Sequence, residues 1–205
     1  MNAPTTPPNG EPIWIETNSY LLRSLTPQDV TMDLFNWVNT PEMLHDLQLD
    51  SPGMDLAGFQ KMVAALDNLT RFCIAIYQPD DSGDQPLGLY TIKINLKHKV
   101  AHLLAGTTLS GNKSREIFWS TCDALLDRFF DAYNVEKVST RVLANNYKLF
   151  LVFNSTPRFT LEAILKSECQ TPDGQRADLL LCAACRGGGS IRLVRRPKAA
   201  DSTAP

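Results

Sequence analysis

The 205-residue sequence predicts an α/β (α+β) fold in one domain: a mixed, mostly antiparallel seven-stranded sheet flanked by about four helices. Three observations carry this expectation. Seven short stretches are rich in aliphatic, β-branched and aromatic residues and are bounded by turn residues. Four other stretches repeat apolar residues at helical spacing. The longest of these lies between two strands, and such a crossover makes its flanking strands parallel while short loops leave the others antiparallel.

The elements follow in order. Tyr20–Leu25 (YLLRSL) reads as a strand. Thr26-Pro27-Gln28-Asp29 then opens a helix with a Thr cap, Pro in the first turn and an early acid. Leu34, Trp37 and Val38 form its stripe, and Asn39-Thr40-Pro41 is expected to stop it. A second helix spans Asp55–Leu66. Strands follow at Arg71–Tyr77, Leu87–Asn95 and Val100–Thr108, with a loop at Pro79–Pro86 and a hairpin turn at Leu96–Lys99. Ser114–Tyr133 is the strongest helix, with Ile117, Phe118, Thr121, Leu125 and Phe129 on one wide face. Glu136–Leu143 is the strand after it. Asn146–Asn154 reads as a shorter helix, and Arg158–Leu165 and Ala177–Cys185 as the last strands, joined by a turn at Thr171–Gly174. Residues 1–12 are expected to be a disordered lead-in, 13–186 the single domain, and 187–205 a flexible basic and polar tail.

Composition narrows the function. Apolar residues make up 43% and the formal net charge is -2, which argues against a general nucleic-acid binder, since those cluster Lys and Arg against phosphates. No apolar run reaches the ~18 residues a membrane helix needs. The first residues lack the basic start and apolar core of a secretory signal. Five scattered cysteines fit a reducing cytoplasm. Cys182 and Cys185 form one C-x-x-C without a second pair or a His pair, so they read as strand residues and no metal is expected.

One loop carries chemistry. Residues 106–115 read GTTLSGNKSR. Gly106 and Gly111 have the spacing of a phosphate-binding P-loop, but Asn112 separates Gly111 from Lys113 and Ser114. That insertion redirects every following side chain, so the P-loop reading fails. What remains is a strand-to-helix junction, where backbone N–H groups and the helix dipole favour an anion.

Five segments in order resemble the GNAT superfamily of acetyl-CoA-dependent N-acetyltransferases, closest to its ribosomal-protein acetyltransferase branch. They are Tyr20–Asp29 (YLLRSLTPQD), Trp37–Glu42 (WVNTPE), Glu136–Asn146 (EKVSTRVLANN), Phe159–Leu165 (FTLEAIL) and Asp173–Asp178 (DGQRAD), and they span about Tyr20 to Ala184. The resemblance implies a GNAT-like sheet and transfer of acetyl from acetyl-CoA to a primary amine on a protein N-terminus, an amino sugar or a small metabolite. It also implies that the loop after the fourth strand holds the CoA pyrophosphate. The family pattern [QR]-x-x-G-x-[GA] is varied here. Thr107, Leu109, Gly111, Asn112, Lys113, Ser114 and Arg115 are the implied cofactor contacts. Lys113 and Arg115 either face the phosphates or are simply solvated. Asn146 either touches the cofactor or only caps its helix.

The family's general base, on the fourth strand, corresponds to His102; the alternative is a strand histidine bonded to a neighbour. Backbone N–H groups near Ala105 to Leu109 are the implied carbonyl donors. Phe153 stands near the family's acid tyrosine and has no proton to give, with Tyr147 on another helical face. These departures leave a second reading open, a CoA-binding or partner-binding domain without turnover. Glu42, Asp46, Asp50 and Asp55 either attract a cationic acceptor or are solvated. Homodimers are common in the family, and no interface is specified by this sequence.

Overall fold

The computed structural model describes residues 10–48, 55–79, 85–171 and 174–188. Eight strands form one sheet: β1 (Trp14–Glu16), β2 (Leu21–Ser24), β3 (Arg71–Tyr77), β4 (Gly88–Asn95), β5 (Val100–Gly106), β6 (Lys137–Leu143), β7 (Thr160–Gln170) and β8 (Arg176–Cys185). Their spatial order is β1-β2-β3-β4-β5-β6-β8-β7, antiparallel throughout except for the parallel pair β5–β6. The helices among the described residues are α1 (Met32–Val38), α2 (Pro41–Asp46), α3 (Leu56–Ala64), α4 (Gly111–Ala132) and α5 (Tyr147–Ser155).

The mixed, mostly antiparallel class is as expected, with one more strand and one more helix than the sequence suggested. β1 is too short for alternation to reveal. It pairs with β2, and the preceding Ile13 is buried with its N–H donated to Ser24 Oγ at 2.9 Å. The Asn39-Thr40-Pro41 stop also starts α2. Thr40 Oγ1 accepts the Met43 N–H at 3.4 Å, and Pro41 occupies the first turn, where its missing N–H costs nothing. Pro27–Asp29 is a separate 3-10 turn, so α1 takes its cap from Thr31 instead. α4 begins at Gly111, ahead of the expected Ser114. β7 runs past Leu165 to Gln170 through two irregularities in its pairing with β8.

Alternation divides the sheet into two dry faces. Ile74, Ile76, Tyr90, Ile92, Ala101, Leu103, Val138 and Val142 pack beneath α4 and α5 with Phe118, Leu125, Phe129, Val152 and Phe153. Each of the Val, Leu, Ile and Phe side chains among them contributes about 1.5–3 kcal/mol on burial. The buried Tyr90 hydroxyl lies 2.9 Å from Thr121 Oγ1. Thr121 donates its own proton to the Ile117 carbonyl at 2.6 Å, so Tyr90 donates to Thr121. On the other face Cys73, Ala75, Tyr77 and Leu89 pack beneath α1, α2 and α3 with Leu34, Trp37, Met43, Leu47, Phe59 and Val63. That helical layer stops short of the far end of β4–β6, where Lys93, His102 and Arg141 are exposed.

Cys182 is buried in the core under α4 and α5. Cys185, three places along the same strand, faces the other way, so the C-x-x-C is no chelating pair. No helix among the described residues is long and apolar enough to cross a membrane.

Candidate functional site

The site begins where the one parallel pair comes apart. β5 and β6 share four rungs, from Val100 opposite Lys137 to Leu103 opposite Thr140. Beyond them β5 stays with β4 as far as Gly106, and β6 stays with β8 as far as Leu143. The diverging arms enclose a V-shaped gap whose backbone groups have lost their ladder partners. Gly106 lets α2 lie against the β5 arm. A Cβ there would meet Leu47 Cγ at 2.9 Å and Met43 Cε at 3.2 Å.

The β5 arm leads into the expected phosphate loop. Thr107 is buried; its hydroxyl donates to the Leu87 carbonyl at 2.6 Å and accepts the Leu109 N–H at 3.1 Å. Thr107 and Leu109 therefore spend these groups on the loop itself. Ser110 is the cap residue of α4, but its side chain makes no cap bond, whereas Thr31, Thr40, Asp55 and Asn146 each cap their helices. The first-turn N–H groups of Gly111, Asn112 and Lys113 have no partner inside the helix. Gly111 has φ +61, a left-handed turn that suits glycine. Lys113 is exposed beside them. Arg115 bonds the Asn112 side-chain oxygen and lies 5.7 Å from the Trp119 ring centre. Ser114 is buried and donates to the Gly111 carbonyl at 3.0 Å. Gly111, Asn112, Lys113 and Arg115 thus share one helix start, where an anion is favoured.

The mouth of the V is filled. Asp46, only 3% exposed at the end of α2, accepts the Thr107 N–H at 3.1 Å, Asn146 Nδ2 at 2.7 Å and Lys148 Nζ at 2.5 Å. Lys148 also donates to the Thr107 carbonyl at 2.8 Å. Gln48 Nε2 donates to the Arg141 carbonyl at 2.5 Å. The end of α2 thereby bridges both arms. Asn146 caps α5 through the Leu149 N–H at 3.2 Å and also donates toward His45 Nδ1 at 3.3 Å. His45 Nε2 lies 3.4 Å from Asn145 Oδ1. An open cleft of about 500 Å³ adjoins this network, with Pro41, Glu42, His45 and Tyr147 in its wall.

This corrects the reading of the acids. Asp46 is buried and paired with Lys148, so it offers no charge to a cationic acceptor. Asp55 caps α3 through the Gly58 N–H at 2.8 Å. Glu42 remains exposed, and Asp50 lies outside the described residues. Gln48, His45 and Lys148 escaped the sequence reading because these partners lie 41 to 102 positions away, beyond any local pattern.

His102 sits on the last rung but one before the arms part, on the face opposite α4 and α5. Its Nδ1 is 2.8 Å from Ser139 Oγ, and Ser139 Oγ is 3.4 Å from the Ala101 carbonyl. Both contacts are satisfied when Nδ1–H donates to Ser139 and Ser139 donates to Ala101, a tautomer that leaves the Nε2 lone pair free. Partial burial, and then the charges of Lys93, Arg141 and Lys137, hold the imidazole pKa below its usual value. The ring is therefore neutral near pH 7, as a proton acceptor must be. On the opposite face of the final rung, the buried Thr140 hydroxyl has no hydrogen-bond partner among the described residues. Phe153 is buried against Phe159, with ring centres 5.0 Å apart, and Tyr147 is 72% exposed at the mouth.

No protein-family model matches the sequence, and no curated protein matches it. Solved structures do. A ribosomal-protein-S5-alanine acetyltransferase from Vibrio fischeri superposes with TM-score 0.69 at 14% identity, over 85% of this chain and 97% of that one. A ribosomal L7/L12 alpha-N-protein acetyltransferase gives 0.67 at 17%, over 86% and 96%. A spermidine N-acetyltransferase from Vibrio cholerae, in complex with CoA and spermine, gives 0.66 at 17%, over 81% and 95%. An acetyltransferase of the GNAT family from Streptococcus pneumoniae gives 0.61 at 12%, over 81% and 99%. At such identities the fold is what is shared.

Proposed function

We propose that this chain, which has the GNAT acetyltransferase fold, transfers acetyl from acetyl-CoA to a primary amine by direct attack. One observation carries the reading. The V between β5 and β6 has an uncapped helix start with Lys113 and Arg115 at one end and a neutral imidazole, His102, near its base.

The residues fit the substrate. The Gly111, Asn112 and Lys113 N–H groups, with Lys113 and Arg115, suit the CoA diphosphate. The Thr107 N–H and carbonyl, now held by Asp46 and Lys148, suit an extended amide-bearing arm once released, in the manner of strand addition. His102 Nε2 takes the amine proton as nitrogen bonds the thioester carbon. The carbon–sulfur bond then breaks and the thiolate leaves. With Phe153 in the tyrosine's neighbourhood, solvent supplies its proton. Entry of the arm requires the Asp46 bridge to give way. All five cysteines are free, which fits the reducing cytoplasm expected.

A second reading, CoA or partner binding without turnover, is favoured by that same bridge and by Phe153. An amine library with acetyl-CoA, scored by thiol release, separates the two. Turnover that His102→Ala removes while CoA binding persists supports transfer. CoA binding with no turnover on any amine supports the second reading.

A further inference from the structure

Around His102 the sheet carries a row of cations that the transfer chemistry does not use. Arg71 is opposite Lys93, Lys93 opposite His102, and His102 opposite Ser139, a row across β3, β4, β5 and β6. Neighbouring strands lie ~4.8 Å apart, so the row is roughly 14 Å long. Lys137 and Arg141 flank Ser139 on β6, on the same face. Two of these cations are occupied. Arg71 donates to the Ala65 carbonyl at 2.7 Å and lies 3.9 Å from Asp67, and Lys137 holds both oxygens of Glu162 at 2.8 and 2.7 Å. Lys93 and Arg141 are exposed and have no ion pair among the described residues.

We propose that this face binds the acceptor, and that the acceptor is an acidic N-terminal peptide, an amine followed within a few residues by carboxylates. The inference rests on the acetyl-transfer reading and names its acceptor class. Arg71 and Lys93 already stand opposite each other on neighbouring strands, an unfavourable pair, and a polyamine arriving at Lys93 and Arg141 adds further like charge. Carboxylates just behind an amine at His102 Nε2 relieve it. They also draw the peptide in and orient it, because complementary charge acts on encounter and register. Two of the acids that could have drawn a cationic acceptor have other roles, since Asp46 is buried against Lys148 and Asp55 caps α3.

The test uses the full chain and two peptides with the same free N-terminal serine, one continuing with three glutamates and one with three lysines. Fluorescence anisotropy measures binding, and acetyl transfer is measured beside it with spermidine as a third acceptor. The acidic peptide is expected to bind about tenfold tighter at low salt and to lose that margin as salt rises. Lys93→Glu with Arg141→Glu is expected to invert the preference. Lys93→Ala with Arg141→Ala, a milder change at two exposed positions, should abolish it. Equal binding, a preference for lysine, or no binding by either peptide overturns the inference. Preferred binding of the acidic peptide without transfer upholds the docking face and counts against acetyl transfer. Transfer to spermidine or the lysine peptide at equal or higher rate upholds acetyl transfer and overturns the acidic acceptor.

Discussion

The two ends of the cleft between β5 and β6 are built in opposite ways. At the Ser110–Arg115 end, first-turn N–H groups and an exposed lysine stand without a capping side chain. At the mouth, a carboxylate, an ammonium, an amide and both backbone groups of Thr107 satisfy one another. The first end offers polar groups to something outside the chain. The second holds the chain to itself. Changes at the mouth should therefore act on folding as well as on entry of the arm, and changes at the helix start on binding alone.

The largest effect on stability belongs to the mouth. Asp46→Ala strands Lys148 and Asn146, and losing one partner of a buried ion pair costs about 3–5 kcal/mol. Lys148 is 24% exposed, which places the loss at the low end of that range. Denaturant unfolding measures it, and a loss under ~1 kcal/mol would mean the mouth does not hold α2 to the sheet.

His102→Ala should lower kcat/KM by about 10²–10⁴ while leaving CoA binding alone. The wild-type rate should rise with pH as the imidazole loses its proton, with a midpoint below the ordinary ~6.5. The sign follows from burial and from Lys93, Arg141 and Lys137, all of which disfavour the cation. Lys93→Gln should move the midpoint upward, and an unmoved profile would remove His102 from the reaction. The same shift affects stability. The unfolded chain binds this proton more readily, so the His102 contribution is present above the ordinary histidine pKa and is lost as pH falls through the lowered one.

Two smaller effects sharpen the contrast. Gly111→Ala meets nothing within 4 Å, so only the positive φ opposes it, at about 1–2 kcal/mol. A cost near zero in thermal unfolding would show that the α4 start relaxes freely. Thr140→Val removes a buried hydroxyl that has no partner among the described residues, and the denaturant midpoint should hold steady or rise. A clear fall would reveal a bond that this arrangement lacks.

The sequence foretold these regions unevenly, for physical reasons. α4, β4 and β5 were legible because their burial is periodic: Ile117, Phe118, Thr121 and Leu125 mark a helical face, and alternation marks the strands. The strand-to-helix junction before α4 was legible because glycine and local charge are local signals, but its first turn begins at Gly111, three residues ahead of the expected Ser114, and the missing Ser110 cap bond shows only in the fold. α2 was hidden because Thr40-Pro41 ends one helix and begins the next with the same residues. The mouth was hidden because Asp46 meets Asn146 and Lys148 only through the fold, and Asp46 alone looks like any surface acid. His102 was singled out by the resemblance, which puts a base on the fourth strand. Its cationic neighbours, on β4 and β6, became visible only with the strand register.

Calorimetric titration with CoA, on the wild type and on Lys113→Ala with Arg115→Ala, decides whether the start of α4 holds the CoA phosphates. The wild type should bind with a Kd near ~1 μM. The double variant should bind about tenfold more weakly, from lost charge-assisted contacts, with an unchanged unfolding midpoint. Equal affinity in the two proteins, or no binding by the wild type, would contradict the placement of the CoA phosphates at the start of α4.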